Sequence, residues 1–90
     1  MESTRKRYKV VIERKAEKHL KALSSTDYQK IRAAIEKLCV EPRGYNSIKL
    51  TDTVNEYRLR VGDFRILYTI EDRILFICVV EVVNRKDAYK

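Results

Sequence analysis

The pattern of apolar and polar positions changes period twice along the chain. Tyr8 to Glu13 (YKVVIE) is aromatic and β-branched, which predicts a short strand following a basic start. From Arg14 the spacing lengthens. Ala16, Leu20 and Leu23 recur at four and three residues and so share one helical face, with Arg14, Lys15, Lys18 and Lys21 on the others. Ser24, Ser25 and Thr26 interrupt this helix and offer hydroxyl caps for a second. The second helix is predicted from about Asp27 to Val40, with Tyr28, Ile31, Ala34, Ile35 and Leu38 as its apolar stripe. Pro42, Gly44 and Asn46 then break the chain. Three further strands follow: Val54 to Val61, Phe64 to Glu71 and Ile74 to Val83. Gly62-Asp63 and Asp72-Arg73 separate them as two-residue hairpin turns. The last strand is apolar at almost every position and should be the most buried. The tail from Asn84 to Lys90 is polar again and should leave the sheet.

These elements predict an α+β fold of order β-α-α-β-β-β, a helical hairpin packed on a mainly antiparallel four-stranded sheet. With 90 residues, a single domain spans the chain. Only two glycines and one proline occur among abundant Ile, Leu and Val, which excludes collagen-like and disordered classes. The start from Met1 to Arg7 is polar and basic, and the longest apolar run, Ile74 to Val80, is too short to cross a membrane. A cytoplasmic protein with no membrane partner is therefore expected. Cys39 and Cys78 lie in apolar surroundings without CxxC spacing, so they read as buried reduced thiols, and neither a metal site nor another cofactor is expected.

A period of two sorts the central hairpin. If Gly62-Asp63 is a two-residue loop, Val61 pairs with Phe64 and Arg60 with Arg65. Tyr57, Leu59, Val61, Phe64, Ile66 and Tyr68 then point toward the helices, while Glu56, Arg58, Arg60, Arg65, Leu67 and Thr69 point away. Two arginines facing each other across an antiparallel pair cost some tenths of a kcal/mol. A solvated face neutralised by Glu56 and other carboxylates is the plain alternative. The net charge of +7, and a tail holding Arg85, Lys86 and Tyr89, favour a nucleic-acid partner instead. Guanidinium forks bind phosphate and stack on bases, and aromatic rings give unpaired bases a platform.

At these residues the sequence resembles the RelE family of toxins of bacterial and archaeal toxin–antitoxin systems. The run from Glu56 to Tyr68 (EYRLRVGDFRILY) matches that family's YRLRVGDYRILY stretch nearly residue for residue. Ile48-Lys49-Leu50 matches its IKL segment, and the segment from Asn84 to Tyr89 resembles its HRxxxY ending. The resemblance covers nearly the whole chain and is specific in its second half. It implies a ribosome-dependent endonuclease that cuts mRNA in the ribosomal decoding site, represses translation and is silenced by a cognate antitoxin protein. It also implies a catalytic set of Arg58, Arg60, Arg65, Arg85 and Tyr89, with Arg43, Lys49, Asn84 and Lys86 as further RNA-binding positions.

Cleavage by attack of a 2′-hydroxyl on its own phosphodiester needs a base, charge on the phosphate and an acid for the leaving oxygen. Arginine does not supply the base, and Asn84 stands where many family members have histidine. Glu56, Glu81 and a Tyr89 phenolate remain as bases, while His19, within the first helix, reads as structural. Two alternatives accompany this reading: a non-nuclease inhibitor of DNA gyrase like the related ParE toxins, which share the fold, and a catalytically inactive module binding antitoxin or nucleic acid.

Overall fold

The two helices begin differently, since only the second has a side chain that caps its first turn. The computed structural model describes residues 7–84. Strand β1 (Lys9–Ile12) leads directly into α1 (Arg14–Lys21), whose last turn carries Lys18 and Lys21 at the negative end of the helix dipole. Helix α2 (Ser25–Lys37) is capped by Ser24, whose hydroxyl accepts the Asp27 amide at 3.2 Å. It stops short of Val40 because Leu38, Cys39 and Val40 donate to carbonyls three residues back, tightening the chain ahead of Pro42.

The sheet has five strands, β1, β2 (Ser47–Lys49), β3 (Glu56–Val61), β4 (Phe64–Glu71) and β5 (Phe76–Asn84), in the order β1-β5-β4-β3-β2, with β1 parallel to β5 and every other pair antiparallel. This corrects the expected four strands. The addition is β2, too short to show a period of two; it forms on the open edge of β3, where Ser47 faces Leu59 and Lys49 faces Tyr57.

The first hairpin turn is as expected, with Val61 opposite Phe64, Arg60 opposite Arg65, and Gly62 at φ 57° in the left-handed region that glycine tolerates. The second is not the two-residue turn expected. Glu71 pairs with Phe76, so four residues connect the strands: a 3₁₀ turn over Asp72–Ile74, then Leu75 at φ 51°. Contacts far along the chain hold this turn: Asp72 accepts from Arg43 and Tyr8, and the Leu75 carbonyl accepts from Lys9.

Both helices cover one face of the sheet. Ala16, Leu20, Ile31, Ile35 and Leu38 meet Phe64, Ile66, Tyr68, Ile70, Ile77, Val79 and Val82 in a single core. Strand β5 sits between β1 and β4, yet it buries only Ile77, Val79 and Val82, because nothing described covers its other face. A bulge leaves Val80 unpaired between the Leu67–Glu81 and Tyr68–Val79 pairs. Strand β1 ends opposite Val79, and beyond it the Val82 amide donates to Nδ1 of His19 at 3.2 Å. The histidine thus satisfies a backbone donor that no strand reaches. Cys39 and Cys78 are free but only half-buried. Burial, and a hydrogen bond to Glu13 at 3.3 Å, push the Cys78 thiol up to about 11, so it is not a reactive thiolate at neutral pH.

Candidate nucleic-acid interface

The face away from the helices is ordered in rows across the strands. One row reads Ile48, Arg58, Leu67, Glu81 over β2, β3, β4 and β5; the next reads Arg60, Arg65, Val83; on the other side lie Glu56 and Thr69. Arg60 and Arg65 are direct neighbours, and Arg58 is diagonal to Arg65. Together with Tyr45, Asn46 and Ile48 they line a shallow depression of about 410 Å³. Among the described residues no carboxylate is within ion-pair distance of these three arginines, since the salt bridges formed are Lys15–Glu81 and Arg43–Asp72. Glu56 therefore forms no direct ion pair with them, and none relieves the repulsion between the guanidiniums within residues 7–84. Three guanidiniums so placed can hold an anion with several acceptor oxygens.

Two carboxylates lie farther along the same face. Glu56 and Glu81 line a second depression of about 220 Å³ with Leu67 and Thr69 between them. Glu81 holds Lys15 at 3.5 Å, and from Arg58 it is two strands away, roughly 10 Å at the usual strand spacing. The face thus grades from three cations at the Gly62 end to two acids toward its middle.

Other expected RNA-binding positions lie elsewhere. Arg43 is engaged within the fold, away from the arginine cluster: its guanidinium grips the Asp72 carboxylate through two bonds of 3.2 and 2.7 Å, donates from Nε to the Tyr57 hydroxyl at 3.0 Å, and lies 5.2 Å from the centre of that ring. The Asp72 carboxylate raises the guanidinium's proton affinity further, and its bond to Tyr8 raises that phenol above its ordinary value. Tyr57 in turn stacks on Tyr68, with ring centres 5.8 Å apart, and the Tyr68 hydroxyl donates to the Pro42 carbonyl at 2.7 Å. Burial raises the Tyr68 phenol. The network ties the segment around Pro42 to β3, β4 and the Asp72 turn. Replacing Arg43 with Ala should lower unfolding free energy by about 1–2 kcal/mol, discounted for the exposure of the ion pair, and Arg43→Lys should recover only part of it; urea unfolding checks both.

Lys49 is in register with Tyr57, so alternation sets it on the side opposite the arginines and gives Ile48 the place facing them. Asn84 does not leave the sheet: it ends β5 opposite Phe64, two residues after the buried Val82, which puts it on the helix side. Arg85, Lys86 and Tyr89 lie outside the described residues. The structure therefore brings together Arg58, Arg60 and Arg65, and adds Tyr45 and Asn46, which the periodicity of the chain gave no reason to select. Their one signal was an aromatic residue inside the polar break between Pro42 and Ser47.

Comparison with known proteins agrees with this fold. The family model of the ParE toxin of the type II toxin–antitoxin system parDE matches residues 10–89. A Methanocaldococcus jannaschii protein named as a candidate toxin RelE1 is 30% identical over 89 residues, covering 93% of this chain and 97% of that protein. The archaeal RelE–RelB complex of Pyrococcus horikoshii OT3 contains a chain that superposes with a TM-score of 0.76 at 28% identity, over 87% of this chain and 94% of that one. A chain of the Mycobacterium tuberculosis toxin–antitoxin complex RelBE2 shares the fold with a TM-score of 0.77 at 23% identity, over 88% and 99% of the two chains.

Proposed function

We propose that this chain, which belongs to the ParE toxin family of type II toxin–antitoxin systems, is an endoribonuclease that cuts mRNA in the ribosomal decoding site and is held silent by a cognate antitoxin. The observation that carries this reading is the cluster of Arg58, Arg60 and Arg65, without an ion pair among the described residues, around one depression on the open sheet face. In the proposed reaction the 2′-hydroxyl attacks the adjacent phosphorus, the bond to the 5′-oxygen breaks, and a 2′,3′-cyclic phosphate and a free 5′-hydroxyl result. Arg60 and Arg65 grip the phosphate as it gains charge, with Arg58 beside them. The acids nearest along the same face, Glu56 and Glu81, are the described groups able to accept the 2′-hydroxyl proton. Arg85 and Tyr89 complete the proposed catalytic set. With so little general-base power beside the arginines, holding the 2′-oxygen in line with the phosphate supplies much of the rate, and the ribosome's grip on its message provides that alignment.

An antitoxin partner is supported by the relatives solved as RelE–RelB complexes and by the +7 charge of the chain, which attracts a partly acidic segment. A second reading, inhibition of DNA gyrase, is favoured by the description of the matching family as ParE toxins. Primer extension on messages translated by programmed ribosomes separates the two. The expected result is new 5′-hydroxyl ends within the codon in the decoding site. Their absence, together with loss of gyrase supercoiling on addition of the protein, would establish the second reading.

A further inference from the structure

The most exposed large hydrophobic side chain on the described surface stands at the rim of the arginine cluster. Tyr45 is 101% exposed and lines the same depression as Arg58, Arg60 and Arg65. A single exposed ring is common on protein surfaces, but this one is held on a tied turn. The Ser47 amide and hydroxyl both donate to the Gly44 carbonyl, at 3.1 and 2.8 Å, closing a four-residue turn with Tyr45 and Asn46 at its corners. The Arg60 amide donates to the Asn46 carbonyl at 3.2 Å, which fastens the turn to the strand that carries the arginine. Before the turn, Arg43 and the Pro42 carbonyl are anchored to Asp72, Tyr57 and Tyr68. The backbone of Tyr45 is therefore positioned on both sides while its ring contributes nothing to the core. Beside it Ile48, 55% exposed, extends the apolar surface toward Arg58.

We infer that Tyr45 is a stacking platform for an unpaired nucleobase of the RNA strand whose phosphate the arginines hold. This rests on the ribonuclease reading above and adds to it a residue that positions the strand. A ring with a free face, a fixed backbone and cations alongside is the arrangement by which single-stranded nucleic acid is gripped without dependence on base identity. The phosphate sets the register, and the stacked base fixes the direction in which the strand leaves the cluster. Tyr45 takes no part in proton transfer.

The test is binding of a 2′-O-methyl hexaribonucleotide, which lacks the attacking hydroxyl, carrying 2-aminopurine at one position per oligonucleotide. The full-length protein, released from its antitoxin, is titrated as wild type, Tyr45→Phe, Tyr45→Leu and Arg60→Ala. Wild type and Tyr45→Phe should bind within about twofold of each other and quench 2-aminopurine at one position. Tyr45→Leu should bind about five- to a hundredfold more weakly and lose the quench, with the slope of log K against log salt unchanged. Arg60→Ala should instead lower that slope by about 0.7, the mark of a lost phosphate contact. Equal affinity and quench in wild type and Tyr45→Leu would overturn the stacking role and leave the ribonuclease reading standing. Tyr45→Leu that weakens only the antitoxin complex would reassign the ring to that partner and overturn it equally. Absence of salt-dependent binding by the wild type would overturn both.

Discussion

Replacing Arg65 with Ala should abolish the growth arrest caused by expression of this protein and reduce mRNA cleavage on programmed ribosomes by about a hundredfold or more, the usual effect of removing one donor that stabilises a charged transition state. The fold should not register the change. Arg65 makes no ion pair among the described residues and stands directly opposite Arg60, so its removal relieves a repulsion of some tenths of a kcal/mol while giving up a little packing of its stem. The melting midpoint should stay within about 3 °C of the wild type, and antitoxin should still co-purify. Arg65→Lys keeps the charge but not the planar fork and should recover only part of the activity. Full toxicity of Arg65→Ala would remove the phosphate-clamp role from the proposed mechanism.

The neighbouring position should respond in the opposite way. Ile66 is fully buried, between the sheet and the helices. Ile66→Ala deletes three carbons from a packed site and should cost about 2–5 kcal/mol, a large share of the roughly 5–15 kcal/mol available to a small domain. The melting midpoint should fall by about 10–25 °C. Activity would be lost with folded protein, and excess antitoxin should restore part of the midpoint, because a partner that binds only the folded state stabilises it by mass action. Leu59→Ala should cost less, since Leu59 is only partly buried at the margin of the core. A thermal scan of Ile66→Ala showing no shift would mean that the β4 register is not the one described. The contrast between residues 65 and 66 follows from alternation alone: adjacent side chains on a strand face opposite sides, and here one side is packed and the other open.

That alternation was legible in the sequence. Two residues between Val61 and Phe64, one of them glycine, determine which residues pair, and the pairing determines which side chains share a face; Arg58, Arg60 and Arg65 could be grouped without coordinates for this reason. Both helices were likewise legible, because Ala16 with Leu20 and Ile31 with Ile35 repeat at a spacing set by local helix geometry. What the tertiary structure alone decided involves partners far apart in the chain. β2 exists only because β3 offers it an edge, so Ile48 rather than Lys49 meets the arginines. Arg43, an RNA-binding position by family resemblance, is held instead by Asp72 and Tyr57, 29 and 14 residues away. His19 acquired its role from an amide 63 residues on. Tyr45 has no periodicity to mark it, and its position beside the cluster follows from the Gly44–Ser47 turn and the backbone hydrogen bond that ties Asn46 to Arg60. Local periodicity records which face a side chain takes; it carries no information about which distant group closes a turn, caps an edge or borders a site, because those contacts form only when the sheet and helices pack.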